Sequence, residues 1–290
     1  MVDNMDLKSI GSNPVGVRLS PRALIYNKMP KDKQMINNKF FKEWSSNMAY
    51  VLGFVVADGC VMKRKDRKDS FIFNITTKDR EHLENIQKAM CSKYQIGLKS
   101  GGGSRERNIS FVQITNKEIC LDLINLGVIP RKTYNLGEIK IPDEYFADFA
   151  RGFFDGDGTV YIYNVNNTPQ IKVGFVCASA QFINHFNKQL CKFLGVKEKS
   201  VHLIKAHGIK ANSYSIDFYI SDCEKFYNFI YGNNPELYLE RKLKVFEDWQ
   251  NIKRRHYIKK DYPSKIGWHL NENLIRDGFP VYFPIYVANP

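Results

Sequence analysis

No stretch of this 290-residue chain is apolar for long enough to cross a bilayer. The longest run, AYVLGFVVA at residues 49–57, is under half of the roughly 20 residues that a membrane helix needs. The opening MVDNMDLKSIGSNPVG lacks the apolar centre of a secretory signal. The six cysteines (Cys60, Cys91, Cys120, Cys177, Cys191 and Cys223) contain no C-x-x-C pair. That argues against a zinc ribbon and for buried free thiols in a reducing compartment. The six histidines are scattered without ligand spacing. The glycine-rich GGGSRERN at 101–108 lacks the Gly-Lys-Ser/Thr ending of a P-loop. DGDG at 155–158 fails as a calcium loop: counting from Asp155 puts Val160 where that loop needs glycine and Asn166 where it needs glutamate.

Acidic residues are also scarce. The chain has 30 Asp+Glu against 43 Lys+Arg, a net charge of +13 and a pI of about 9.3. Such an excess favours a polyanionic partner, most simply nucleic acid. The expected protein is soluble and not secreted, has no membrane partner, and sits in the cytoplasm or in an organelle that holds its nucleic acid. A hydrophobic fraction of 43% supports a sizeable core, and 290 residues allow two domains or one domain made of two similar halves.

The chain repeats itself. AYVLGFVVADGC at 49–60 aligns with ADFARGFFDGDGT at 147–159, with Gly53 on Gly152, Ala57 on Gly156 and Asp58 on Asp157, 99 residues later. SFIFNITTKDREHLENIQKAM then matches IKVGFVCASAQFINHFNKQL, and NISFVQITNKEICLDLINLG matches NSYSIDFYISDCEKFYNFIYG. Each segment is a strand-like run leading into an amphipathic helix. Thr76-Thr77 and Ser179 stand at helix-capping positions, and Ser221 with Glu224 has capping-box spacing. Each half then reaches a lysine, Lys132 in GVIPRKTYNLG or Lys242 in LYLERKLKVF. The fold class is therefore α+β, with two pseudo-symmetric αββαββα halves. Residues 1–44 form an N-terminal extension, 45–140 the first half, 141–260 the second half, and 261–290, rich in Pro, Tyr and Phe, a C-terminal extension. The strands are expected near 69–77, 108–115, 160–163, 170–177 and 213–220.

The repeated helix carries the chemistry. Gly53 and Ala57, like Gly152 and Gly156, are four residues apart and share one face, where small residues let two helix backbones approach. Glycine inside a helix costs about 1 kcal/mol relative to alanine, which tight helix pairing would offset. If the two copies pack on each other, Asp58 and Asp157 meet at their C-terminal ends. There the helix dipole disfavours anions and the two carboxylates repel. A divalent cation resolves both problems. Carboxylate oxygens suit Mg²⁺, and a metal there that also holds a phosphate oxygen and a water is equipped for phosphodiester hydrolysis. Alone, Asp-Gly is a turn signal and a lone lysine a solvated surface group; the repetition at matched positions distinguishes these residues.

VLGFVVADG and ARGFFDGDG resemble the paired nine-residue signature of the LAGLIDADG homing endonucleases, over roughly residues 45–255. The resemblance implies a monomer whose two antiparallel sheets form a DNA-binding saddle, packed through the two motif helices. It implies a long asymmetric site on double-stranded DNA, cut in both strands with Mg²⁺ (Ca²⁺ or Mn²⁺ substituting in binding or activity), and intron or intein mobility. Asp58 and Asp157 inherit the metal-ligand role, with the carbonyls of Ala57 and Gly156. Lys132 and Lys242 inherit the catalytic basic role, and Thr77 and Ser179 that of holding water near the metal. Arg64, Lys65, Arg67 and Lys68, in the turn before the second strand, suit phosphates, as do Arg105 and Arg107 in a basic hairpin tip. The first motif has Val56 where the second has Asp155, a position that is not the metal ligand. The alternatives are an intron RNA maturase and a non-cleaving DNA-binding regulator on the same fold.

Overall fold

The computed structural model describes residues 35–64, 70–99, 109–130, 132–205, 212–260, 266–276 and 279–286, with only the backbone from residue 254 onward. All of these residues belong to the unit Met35–Pro290. In the first half, α1 (Ser46–Asp58) runs directly into β1 (Gly59–Lys63). It is followed by β2 (Phe71–Thr77), α2 (Arg80–Ala89), β3 (Ile96–Lys99), β4 (Ile109–Ile114) and α3 (Lys117–Asn125). A short helix α4 (Lys132–Asn135) connects to the second half. There the order recurs: α5 (Phe146–Asp157), β5 (Gly158–Val165), β6 (Thr168–Cys177), α6 (Ala180–Leu194), β7 (His202–Ile204), β8 (Ser213–Tyr219) and α7 (Ile220–Tyr231). The long α8 (Glu240–Lys260) and an antiparallel hairpin, β9 (Ile266–Arg276) with β10 (Phe279–Tyr286), complete the chain.

The two halves share one topology. Their four-stranded antiparallel sheets run β1-β2-β4-β3 and β5-β6-β8-β7. Alternation along each strand buries one face. Phe73 and Ile75 of β2 and Val112 and Ile114 of β4 point inward, as do Val173 and Phe175 of β6 and Ile216 and Phe218 of β8. The first half's core includes aliphatic residues such as Leu83, Ile86 and Leu123 beside Phe54 and Phe73, whereas the second packs Phe153, Phe154, Phe175, Phe182, Phe186 and Phe226 against one another, mostly edge to face.

The strands expected from sequence near 69–77, 108–115, 170–177 and 213–220 are present. The fifth is longer than 160–163, because β5 and β6 close on Asn166 and Asn167, whose φ values of 48° and 60° make the two-residue turn that prolongs a hairpin. Ser179 does cap α6, accepting from Phe182 N at 3.3 Å. Two other cap expectations are corrected. Helix α2 starts beyond Thr77, at Arg80 after Asp79. Helix α7 starts at Ile220 straight off β8, which puts Ser221 inside the first turn and leaves the expected capping box unformed. Residues 35–44 belong to the first half's core. Ile36 and Phe41 are buried, and Asn37 N donates to Met90 O while Lys93 N donates to Met35 O.

Candidate active site and nucleic-acid interface

Helices α1 and α5 pack flank to flank, and glycine makes this possible. A Cβ on Gly53 would overlap the carbonyl oxygen of Phe149 and lie 2.8 Å from Phe153 N. A Cβ on Gly152 would overlap the carbonyl oxygen of Tyr50 and lie 2.9 Å from Phe54 N. Tyr50 and Phe149, Phe54 and Phe153, and Gly53 and Gly152 are all 99 residues apart. The contact is thus self-complementary within one chain, the geometry of a twofold dimer. One turn later Gly156 meets Ala57, whose Cβ would overlap any Cβ added at Gly156. The next residues are Asp58 and Asp157, so the acidic tips of both halves come together as the sequence predicts.

Both aspartates are half-buried. Burial, followed by the charge of Asp157, pushes the Asp58 carboxyl up to about 6. Burial likewise raises Asp157, against the pull of Lys132 and Lys242. The two lysines approach the helix ends in parallel fashion. Lys132 Nζ donates to the carbonyls of Val56 at 2.5 Å and Ala57 at 3.2 Å. Lys242 Nζ donates to Phe154 O, to Asp155 O at 2.9 Å and to Gly158 O at 2.6 Å. Each lysine neutralises carbonyls that a helix C-terminus leaves unpaired. They differ in what remains. All three Lys242 protons are committed and the side chain is 5% exposed, whereas Lys132 is half-buried with two bonds made. Burial lowers both, Lys242 to about 8.

I-SmaMI, solved bound to an uncleaved DNA target in the presence of calcium ions, superposes on 75% of this chain and 93% of its own, with a TM-score of 0.51 and 14% identity. I-SmaMI, also solved bound to cleaved DNA, is a LAGLIDADG homing endonuclease. This chain has the LAGLIDADG homing endonuclease fold. I-GzeII, a LAGLIDADG homing endonuclease in complex with its DNA target, covers 77% of this chain and 94% of its own at 13% identity and a TM-score of 0.49. Among curated proteins, the uncharacterized protein MJ0398 of Methanocaldococcus jannaschii is 24% identical over 184 residues, 60% of either chain's length. No protein-family model matches the sequence.

The LAGLIDADG framework locates the remaining residues. Thr77 ends β2, where its hydroxyl accepts from Asp79 N at 3.2 Å. The register gives its counterpart in the second half. Ile75 pairs with Gly59 and Phe175 with Gly158, so Thr77 corresponds to Cys177. Ser179, the residue expected from the resemblance to hold water, lies two residues further on, is 3% exposed, caps α6 and donates to Leu136 O at 2.6 Å. The thiol of Cys177 lies close enough to Asp157 and Lys132 to feel both charges. Arg64 is half-buried at the end of β1. Lys65, Arg67, Lys68, Arg105 and Arg107 lie outside the described residues.

Two residues of α5 do more than the sequence indicates. Asp155 is 2% exposed. Its Oδ2 accepts from Tyr50 Oη at 2.7 Å and from Leu239 N at 2.9 Å, tying α1 to the segment that enters α8, and burial raises its carboxyl to about 6. Tyr50 Oη also lies 2.9 Å from His82 Nε2, a contact whose direction the ring's tautomer sets. Burial lowers His82 to about 4. Arg151 donates to Leu237 O, Ile230 O and Asp148 Oδ1 and stacks 5.3 Å from the Tyr50 ring. The only signal available beforehand was a charge inside an otherwise apolar motif. Among the described residues no helix is long and apolar enough to cross a membrane.

Proposed function

We propose that this chain is a site-specific, Mg²⁺-dependent double-strand DNA endonuclease acting as a monomer. The observation that carries the reading is the meeting of Asp58 and Asp157 at the ends of two self-complementary helices, each end served by one lysine. The donor set fits a hard cation. Two half-buried carboxylates with raised proton affinity, together with the carbonyls of Ala57 and Gly156, are an oxygen-only set that waters complete. Among the described residues no cluster of three or more His, Cys, Asp or Glu exists to favour a softer metal. Mg²⁺ held there would lower the pKa of a water and neutralise charge gathering on the phosphate.

The chain's own residues do the rest. Asp58 and Asp157 supply one charge each for the two strands of a duplex lying across the pseudo-twofold axis. Lys132, with a proton to spare, is placed to face a developing negative charge. Lys242 holds the end of α5 and so fixes the direction of Asp157. The outer faces of the sheets, continuous with β1 and β5, take the duplex, whose sugar-phosphate charge the surplus of lysine and arginine attracts.

The test begins by selecting a cleavable target from randomised duplex DNA in Mg²⁺ with the full chain. Asp58→Asn and Asp157→Asn are each expected to reduce double-strand cleavage of that target by about a hundredfold or more. Duplex binding in Ca²⁺ should persist. Undiminished cutting by both variants would refute the assignment.

A further inference from the structure

The shared topology gives every position on one outer sheet face a counterpart on the other. In the first half Cys60 lies opposite Asn74, and Asn74 opposite Gln113. In the second, Thr159 lies opposite Gly174, and Gly174 opposite Asp217. These triplets correspond, since each begins two residues beyond Asp58 or Asp157. Both lie on the face away from the core, because the adjacent Phe73, Ile75, Val112, Val173, Phe175 and Ile216 are the buried set.

Their chemistry differs. The first triplet sets two carboxamides side by side. Asn74 Oδ1 is buried without a hydrogen-bond partner, a cost that is relieved when the carboxamide turns outward to meet a donor. Around it the face mixes apolar side chains with Lys99, whose Nζ donates to Thr76 Oγ1 at 3.0 Å. Met62 lies opposite Ile72, and the Phe111 ring lies across Gly97, whose added Cβ would sit 2.8 Å from Cζ. The second triplet sets a carboxylate over a buried glycine, whose missing side chain leaves room for the Asp217 and Thr159 side chains. A Cβ on Gly174 would sit 2.9 Å from Asp217 Oδ1 and 3.1 Å from Thr159 Oγ1. Asp217 Oδ2 pairs with Lys172 Nζ at 2.8 Å, and Lys172 lies 5.5 Å from the Tyr219 ring.

In a major groove a carboxamide's donor and acceptor match N7 and N6 of adenine. A carboxylate accepts from the N4 amino group of cytosine, and an ammonium suits O6 and N7 of guanine. We infer that the two faces read different bases at mirrored positions: Asn74 and Gln113 select an A·T pair in one half-site, and Asp217 with Lys172 selects a G·C pair equally far from the centre of the other. The inference rests on the proposed DNA-cleaving function and names part of its substrate. The positions are inner ones, since two residues of strand span about 7 Å, some two base-pair steps. Met62 and Ile72, one row further from Asp58, favour thymine methyls further out.

The experiment is enrichment of bound sequences from a randomised duplex library in Ca²⁺ with the full chain, repeated with Asn74→Ala and with the double substitution Asn74→Gly, Gln113→Asp. The wild type should enrich sites with A·T at one inner position and G·C at its mirror. Asn74→Ala should relax selectivity at the A·T position by about ten- to a hundredfold and leave the mirror position unchanged. The double substitution, which copies Gly174 and Asp217 but leaves Ile72 where the second half has Lys172, should weaken the A·T preference and admit a cytosine at that position. Enriched sites that carry the same pair at both positions, or an Asn74→Ala effect spread evenly over the site, would overturn the inference and leave the nuclease reading standing. Failure to enrich any duplex would overturn both. Decoupling folding from reading, each variant's melting temperature is recorded, and a lowered value with unchanged selectivity also counts against the inference.

Discussion

Lys132 and Lys242 occupy matching places in the repeat yet hold different numbers of hydrogen bonds, and the difference is measurable. Lys242→Met would strip three buried carbonyls of their donor. It should cost about 3 kcal/mol of stability, lowering Tm by roughly 6–12 °C for a chain of this size. Lys132→Met, at a half-buried site with two bonds, should cost less than half as much while reducing cleavage more than stability. Thermal unfolding beside a cleavage assay separates the two effects. His82 gives a second residue-scale expectation. Burial lowers its pKa to about 4, so the unfolded chain takes up its proton first as pH falls. Stability from this group is intact above about 6.5 and is lost between there and 4, by roughly 3 kcal/mol. Asp58 and Asp155, raised to about 6, act in the opposite direction over much of the same window. The comparison is therefore made against His82→Gln, where their contribution cancels. Urea unfolding should show the wild type's advantage over that variant shrinking as pH falls from about 6.5 to 4.

The helix pair is the element on which the site depends. Gly53 and Gly152 each face backbone atoms of the other helix, which cannot rotate away as a side chain can. Gly152→Ala should therefore cost about 3 kcal/mol or more, even though alanine favours a helix intrinsically. Gly137→Ala serves as the control. Its nearest neighbours are the end of the Gln181 side chain at 4.0 Å, and the change should fall within about 1 kcal/mol of the wild type. Equal losses from both would show that close helix approach is not what the glycines provide. The strands show how unevenly elements announce themselves. β2, β4, β6 and β8 stand at the sheet centres and carry strong alternation, and the sequence locates them. β3 and β7, of 4 and 3 residues, are sheet edges with too few positions for a period of two to emerge.

At the scale of the whole molecule the surplus charge becomes a thermodynamic quantity. If the saddle seats a duplex through about six to ten phosphate contacts, affinity for the selected target should fall by roughly 10³-fold or more between about 50 and 200 mM salt. A fluorescence anisotropy titration over that range gives the slope. A nearly flat line would remove the phosphate contacts on which the saddle reading relies. The two halves also differ in kind at this scale, one core mixing aliphatic and aromatic residues and the other built on a cluster of phenylalanines in stacked and edge-on contact. Pseudo-symmetry is thus kept in the backbone and given up in the side chains.

The sequence by itself determined the duplication, the order of elements in each half, the pairing of the small-residue helices and the convergence of Asp58 with Asp157. All of these are encoded locally, as periodicity, small residues four apart and a repeat spacing of 99. Only the tertiary structure decided which groups are partners. It set Cys177 at the strand end that matches Thr77, made Lys242 a clamp with no proton to spare, buried Asp155 against Tyr50 and Leu239, and set Asn74 beside Gln113 where the other half sets Gly174 beside Asp217. Those contacts join residues tens to more than a hundred positions apart. Strand register and helix docking fix such contacts, and no local pattern in the chain records them.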